Sequence, residues 1–181
     1  PADNPFVAGG GLPEVTVFGL RNPYRFSIDA PTNRLIVADV GQGRVEEVSI
    51  LAAGDNAGWN RYEGTFRFNP ADGTVSNDPD GLPPGLAYPA LQYDHDEGSA
   101  VVGGFVYRGS AVPGLAGRYV FGDFSRGFSQ PAGRLFAGDL ASGLIEELLL
   151  GHHGRPLGLY LKGFGVDADR KSTRLNSSHR I

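Results

Sequence analysis

Apolar residues along this chain fall in short runs bounded by Gly, Asp, Asn or Pro rather than at helical spacing. Arg34-Leu35-Ile36-Val37-Ala38-Asp39-Val40, followed by Gly43, Val45, Glu46, Glu47 and Val48, predicts a buried strand, a turn and a second strand. Asp should open that turn by bonding its own following backbone, and Gly should close it. The pattern recurs with every spacing kept in Arg134-Leu135-Phe136-Ala137-Gly138-Asp139-Leu140, followed by Gly143, Ile145, Glu146, Glu147 and Leu148. A shorter copy, Arg118 to Phe124 with Gly127, shares the first half. The offset between the two long copies fits two units of about 50 residues, within the range of β-propeller blades. Glu46-Glu47 also admits a short helix, because Val45, Val48 and Leu51 lie three apart; the β-branched residues and flanking Gly favour strand.

Between the repeats, residues 64–90 are rich in Pro, Gly, Asp and Asn and read as a long surface excursion. Gly103 to Gly109 predicts a strand ending in a turn, and Val112-Pro113-Gly114-Leu115 turns into the next strand. The 181 residues include 28 Gly and 13 Pro with 40% hydrophobic residues, which supports one core built from short strands. No apolar run approaches the ~20 residues that span a bilayer. The absence of Cys excludes disulfides and thiolate chemistry within these residues. No dinucleotide, phosphate-loop or zinc-protease motif is present.

The formal net charge is −4, and Arg170, Lys171, Arg174 and Arg180 near the C-terminus mask a still more acidic body, in which Lys162 is the single lysine before residue 169. Such a surface argues against nucleic acid or an anionic membrane as partner. The run Asp169-Arg170-Lys171-Ser172-Thr173-Arg174-Leu175-Asn176-Ser177-Ser178-His179 reads as one translated frame of a common sequencing adapter. Residues 169–181 are therefore expected to be a non-native, disordered tail behind a body of residues 1–168.

Four segments together resemble the glucose/sorbosone dehydrogenase family. They are Gly19-Leu20-Arg21-Asn22-Pro23-Tyr24-Arg25-Phe26-Ser27; Ala38-Asp39-Val40-Gly41-Gln42 with Glu46-Glu47-Val48; Asn56-Ala57-Gly58-Trp59-Asn60 with Tyr62-Glu63-Gly64; and Gly103 to Gly109 followed by Tyr119 to Asp123. The resemblance runs from Pro1 to about Ala168. It implies an all-β fold, a partial six-bladed β-propeller of about three blades of four-stranded antiparallel sheets. It also implies oxidation of an aldose or related polyol with pyrroloquinoline quinone (PQQ) and Ca²⁺, electron delivery to an acceptor, and a periplasmic or secreted location. A non-catalytic propeller of the same family, binding protein or carbohydrate, is the alternative.

By the same resemblance Arg21 and Asn22 match the pair at the quinone, where a planar guanidinium suits a carboxylate and an amide can donate to a quinone oxygen. Pro23 would hold Asn22 extended. Gly41 and Gln42 fall where the family offers backbone carbonyls to Ca²⁺, an oxygen-seeking ion. The catalytic histidine would lie outside these residues. A family lysine at the quinone falls at Ser125, and two family arginines fall near Tyr160 and Lys162. Glu47 aligns with an acid near a structural calcium, although its repeat partner Glu147 favours a solvated surface. Asp94-His95-Asp96-Glu97 reads as a solvated loop with a named histidine, His152-His153 as surface, and Trp59 as core packing.

Overall fold

The computed structural model describes residues 2–150, 157–166 and 173–178. Apart from a single 3₁₀ turn at Pro113–Leu115, every regular element among them is a strand. β1 (Pro23–Asp29), β2 (Arg34–Asp39), β3 (Val45–Leu51) and, after the three short strands of an insert, β7 (Leu91–Asp94) form an antiparallel sheet in the order β1-β2-β3-β7. The insert strands are β4 (Tyr62–Glu63), β5 (Phe66–Phe68) and β6 (Val75–Ser76), which make their own small sheet. A second four-stranded sheet takes β8 (Val101–Val106), β9 (Tyr119–Asp123), β10 (Arg134–Gly138) and β11 (Ile145–Glu147) in simple meander order. β12 (Tyr160–Val166) and β13 (Thr173–Ser178) begin a third. The first strands β1, β8 and β12 lie side by side, as the inner strands of successive propeller blades do. Among the described residues two blades are thus complete and a third is started.

Side-chain alternation explains how the blades stack. Successive residues of a strand point to opposite faces. Val101, Tyr119, Phe121 and Phe136 pack on Ile36, Ala38, Val48 and Leu91 of the first blade. Their neighbours Val102, Val120 and Leu135 face the other way, onto Leu161 and Phe164 of the third. The second blade is covered on both faces, which is why β9 and β10 read as continuous apolar runs rather than alternating ones. The first blade is covered on one face only: Tyr24, Phe26 and Ile28 of β1 are more than half exposed. Gly103 and Gly104 allow the close approach of β8. Gly103 has φ 82°, and a Cβ there would press on Ala38 and Arg25; one on Gly104 would lie 1.8 Å from the Val120 carbonyl oxygen. Arg108 closes the junction with a two-point ion pair to buried Asp29, at 3.0 and 2.5 Å.

One expectation needs correcting. The long repeat aligns β2–β3 with β10–β11, so it maps the second and third strands of one blade onto the third and fourth of the next. The structural counterpart of β2 is β9, the shorter copy. The cause is local: buried strand, Asp–Gly turn and strand make the same hairpin wherever they stand in a blade. Asp139 does bond its own turn, accepting from Ala141 and Ser142, and Gly143 takes φ 79°; Asp39 does not. Within the stretch expected to be a tail, Thr173–Ser178 pair with β12. A strand edge offers unpaired N–H and C=O groups to any extended segment, so this pairing needs no particular side chains.

Candidate functional site

The mouth of the first blade is organised by one buried carboxylate. Asp39 ends β2 opposite Pro23, and its two oxygens accept the backbone N–H groups of Arg21 at 2.8 Å and Asn22 at 2.6 Å. Burial pushes its pKa up, opposed by those two amides. The second blade repeats the device. Asp123 ends β9 opposite Val101 and accepts from Ser99 N (3.0 Å), Ala100 N (2.9 Å) and Ser125 N (2.9 Å), as well as from the Tyr93 hydroxyl (2.7 Å). Burial raises Asp123 to about 6. Asp39 is therefore what fixes the backbone carrying Arg21 and Asn22.

The side chain of Arg21 reaches across to the 40–42 turn. Nη1 donates to the carbonyls of Val40 and Gly41, each at 2.8 Å; Nε donates to Gln42 Oε1 at 3.0 Å, and Nη2 donates to the same oxygen. The guanidinium lies 5.8 Å from the centre of the Trp59 ring. The opposite side of the turn faces an anion. Glu63, fully buried at the end of β4, accepts N–H groups from Gln42, Gly43, Arg44 and Val45 at 2.6–2.9 Å. Successive amides around an anion form a nest. The turn is thus clamped with its amides on Glu63 and its carbonyls on Arg21.

This arrangement brings the expected site residues Arg21, Asn22, Gly41 and Gln42 together, but it sets two of the expected roles against each other. All three hydrogen-bond acceptors of Arg21 are uncharged, with buried Asp39 acting on the guanidinium through space, and the exposed Asn22 side chain has no hydrogen-bond partner among the described residues. Those groups suit an anionic quinone. Ca²⁺ does not fit the same arrangement, because the Gly41 carbonyl already accepts from a cation. Among the described residues no three His, Asp or Glu side chains converge to hold a metal.

Other expected residues have different surroundings. Ser125 is fully buried; its hydroxyl donates to the Gln130 carbonyl at 2.6 Å and accepts from Ala132 N at 3.0 Å, so it ties its own turn. Tyr160 is buried and stacks on Phe124 at 4.8 Å. Glu47 is not a solvated surface residue: it is 8% exposed, accepts Gly64 N–H at 2.6 Å, and burial raises its pKa to about 8. Glu147 instead pairs with Arg134. His95 is tethered rather than free. Its Nε2 meets Oε1 of fully buried Glu46 at 2.9 Å, which raises the histidine pKa, and Glu46 Oε2 accepts Val101 N–H of the next blade at 2.7 Å. His152 and His153 lie outside the described residues. Trp59 is half-buried, tilted on Phe68 at 4.6 Å, and forms part of a groove wall rather than the core. Asp39 and Glu63 both lie inside recognisable motifs, but nothing in the sequence says that their carboxylates turn back onto amides 17 to 21 positions away.

A family profile described as Glucose / Sorbosone dehydrogenase matches residues 1–129. The chain is 39% identical over 132 residues to the HIPL1 protein of Arabidopsis thaliana and 38% identical over 134 residues to the HIPL2 protein of the same plant. Each match takes in 68% of this chain; it spans 19% of the first relative and 18% of the second, so the chain corresponds to about a fifth of their length. Among solved structures, the PQQ-bound aldose sugar dehydrogenase of Streptomyces coelicolor aligns with 91% of this chain and 38% of its own, at TM-score 0.57 and 24% identity. The soluble aldose sugar dehydrogenase of Escherichia coli, in its apo-form, aligns with 99% of this chain and 51% of its own, at TM-score 0.65 and 19% identity. These likenesses establish the fold. With the profile covering well over half of its residues, the chain belongs to the glucose/sorbosone dehydrogenase family.

Proposed function

We propose that the chain supplies the Arg21–Asn22 part of a quinone site in a secreted or periplasmic sugar dehydrogenase acting on aldoses or related polyols. The observation that carries this reading is the guanidinium of Arg21, bonded to neutral acceptors only and standing on backbone that Asp39 holds in place. PQQ, when bound, would supply the two-electron acceptor for hydride leaving the sugar. Arg21 would hold an anionic edge of that cofactor, and Asn22 would orient an oxygen of it. The proton acceptor for the sugar hydroxyl and the partner that reoxidises the cofactor would come from outside these residues. No step is assigned to Ca²⁺, whose expected carbonyl is engaged by Arg21. Residues 169–181 belong to the proposal as an adapter-derived extension beyond a 1–168 body, tested by resequencing the parent gene with adapters trimmed.

The test is PQQ uptake by the full-length parent protein, followed by absorbance with and without added Ca²⁺. Arg21→Ala should weaken uptake at least tenfold, the scale of one lost charge-assisted contact of about 1.5–3 kcal/mol. Unchanged uptake in that variant would remove Arg21 from the site. The burial of Ser125 and Tyr160 in packing, where the family places cations, favours a second reading as a propeller that binds protein or carbohydrate without redox chemistry. That reading predicts no uptake by the unaltered protein at any Ca²⁺ concentration.

A further inference from the structure

Arg21 grips the 40–42 turn through two peptide units, and each unit ends on a buried carboxyl group. In the first, the Val40 carbonyl accepts from Arg21 Nη1 at 2.8 Å, and the Gly41 N–H donates to Glu46 Oε1 at 3.3 Å. In the second, the Gly41 carbonyl accepts from the same Nη1 at 2.8 Å, and the Gln42 N–H donates to Glu63 Oε2 at 2.9 Å. An acceptor at the N–H end polarises a peptide and strengthens the bond its carbonyl accepts. Both acids are fully buried. Arg21 is thus held by two short relays, each running from guanidinium through one peptide to a carboxyl group.

Glu63 places its oxygens on the turn itself, whereas Glu46 ties the turn to two other segments. Its Oε2 accepts Val101 N–H of β8 at 2.7 Å, and its Oε1 bonds His95 Nε2 at 2.9 Å. Strand register sets up the second contact. Tyr93 lies opposite Glu46, so His95, two residues on, is its diagonal neighbour on the same face of the sheet. The His95 backbone is fixed as well, its N–H donating to the Arg44 carbonyl at 2.9 Å. Glu46 faces the carboxyl groups of Asp39, Glu47 and Asp123 through space, and His95 is the basic side chain bonded to it. The imidazole is 33% exposed over a carboxyl group that is fully buried. Truncating it would remove one of the bonds that fix Glu46 and open that group to water.

We infer that His95 is a positioning residue of the quinone site: it holds Glu46, Glu46 holds the Val40–Gly41 peptide, and that peptide holds the guanidinium of Arg21. His95 bonds neither Arg21 nor Asn22, so its effect is on orientation. Four of the five guanidinium N–H groups are donated into the turn. The direction of the fifth, on Nη2, therefore follows the turn, and a cofactor contact made by it is only as well aimed as the turn is held. The inference rests on the quinone reading above, because Arg21 is the group being positioned.

The test is again PQQ uptake by the full-length parent protein. His95→Ala should weaken uptake about fivefold, the scale of one hydrogen bond. His95→Gln, whose amide N–H can donate to Glu46, should recover most of that loss. Added to Arg21→Ala, His95→Ala should cause no further loss, because it acts through that guanidinium. Arg108→Ala loosens the same two blades at the other end of β1 and should leave uptake unchanged. Unchanged uptake in His95→Ala, a loss that adds fully to that of Arg21→Ala, or an equal loss in Arg108→Ala would overturn the inference. A second arm needs no cofactor. Trp59, the single tryptophan of the 181-residue chain, stands 5.8 Å from the Arg21 guanidinium. In that chain His95→Ala should shift Trp59 emission in the same direction as Arg21→Ala, with no further shift in the double variant. If the unaltered parent takes up no PQQ and this pattern is found, the quinone reading fails and the hold of His95 on Arg21 stands. No shift, or shifts that add, sinks the positioning role even where uptake is intact.

Discussion

In the first blade, Asp39 closes β2 and accepts the N–H groups of Arg21 and Asn22. In the second, Asp123 closes β9 and accepts those of Ser99 and Ala100. Register places the two aspartates in the same position, opposite the first residue of the inner strand. What the held segment presents is different: an arginine and an asparagine in one blade, a serine and an alanine in the other. The connections diverge in the same sense. From β3 to β7 the chain leaves through the whole β4–β6 insert, whereas from β10 to β11 it turns tightly over Asp139 and Gly143. The aspartate is thus a structural part of the blade, and what differs between the blades is the residues it holds and the loop beside them.

Asp123→Ala should have the largest effect, because it strips partners from three backbone amides and the Tyr93 hydroxyl within a blade covered on both faces. A loss of about 3–4 kcal/mol in urea unfolding is expected. Asp39→Ala should cost about 2–3 kcal/mol by the same reasoning with two amides, and should additionally weaken PQQ uptake. If Asp123→Ala impaired uptake as strongly at equal residual stability, the division between structural and chemical blades would fail.

Glu47→Gln sharpens the comparison with Glu147. Glu47 has a folded pKa of about 8 against an ordinary 4.5, so between those pH values the folded state holds a proton that the unfolded state has lost. The contribution of this group to stability therefore falls as pH rises from about 4.5 to 8. The variant should match the parent near pH 4 and exceed it at pH 9 by at least about 1.4 kcal/mol, the equivalent of one pKa unit. Glu147, held below its usual range by Arg134, has the opposite sign: its contribution is present above the unfolded value and is lost as pH falls through the folded one. Identical pH slopes for Glu47→Gln and the parent would show that Glu47 is solvated after all.

The smallest effect is expected for Arg108→Ala at the junction of the two blades. Arg108 is 38% exposed, so solvent screens the pair and about 1 kcal/mol is expected at pH 7. Asp29 is held below its ordinary value, with burial opposing and the Arg108 and Thr32 hydrogen bonds prevailing. The difference between variant and parent should therefore shrink as pH falls from the ordinary carboxylate range through the folded value, read from melting temperatures over a descending pH series from pH 7.

The short apolar runs, the Asp–Gly turn at 139–143 and the family motifs were legible in the sequence because they depend on residues close together in the chain. Strand period, turn chemistry and the Arg21-Asn22-Pro23 segment are local properties, and they determined the all-β class and the family. Only the tertiary structure decided which strands of the repeat correspond, because a hairpin carries no mark of its place in a blade. It also decided that Asp39 reaches back to Arg21, that Glu63 fills the 42–45 nest, that Glu47 is buried while Glu147 is not, and that Arg21 occupies the carbonyl expected for calcium. Each of these turns on whether a carboxylate, a guanidinium or water satisfies a given backbone group. That competition is settled between segments far apart in sequence, where desolvation and geometry, rather than residue type, select the partner.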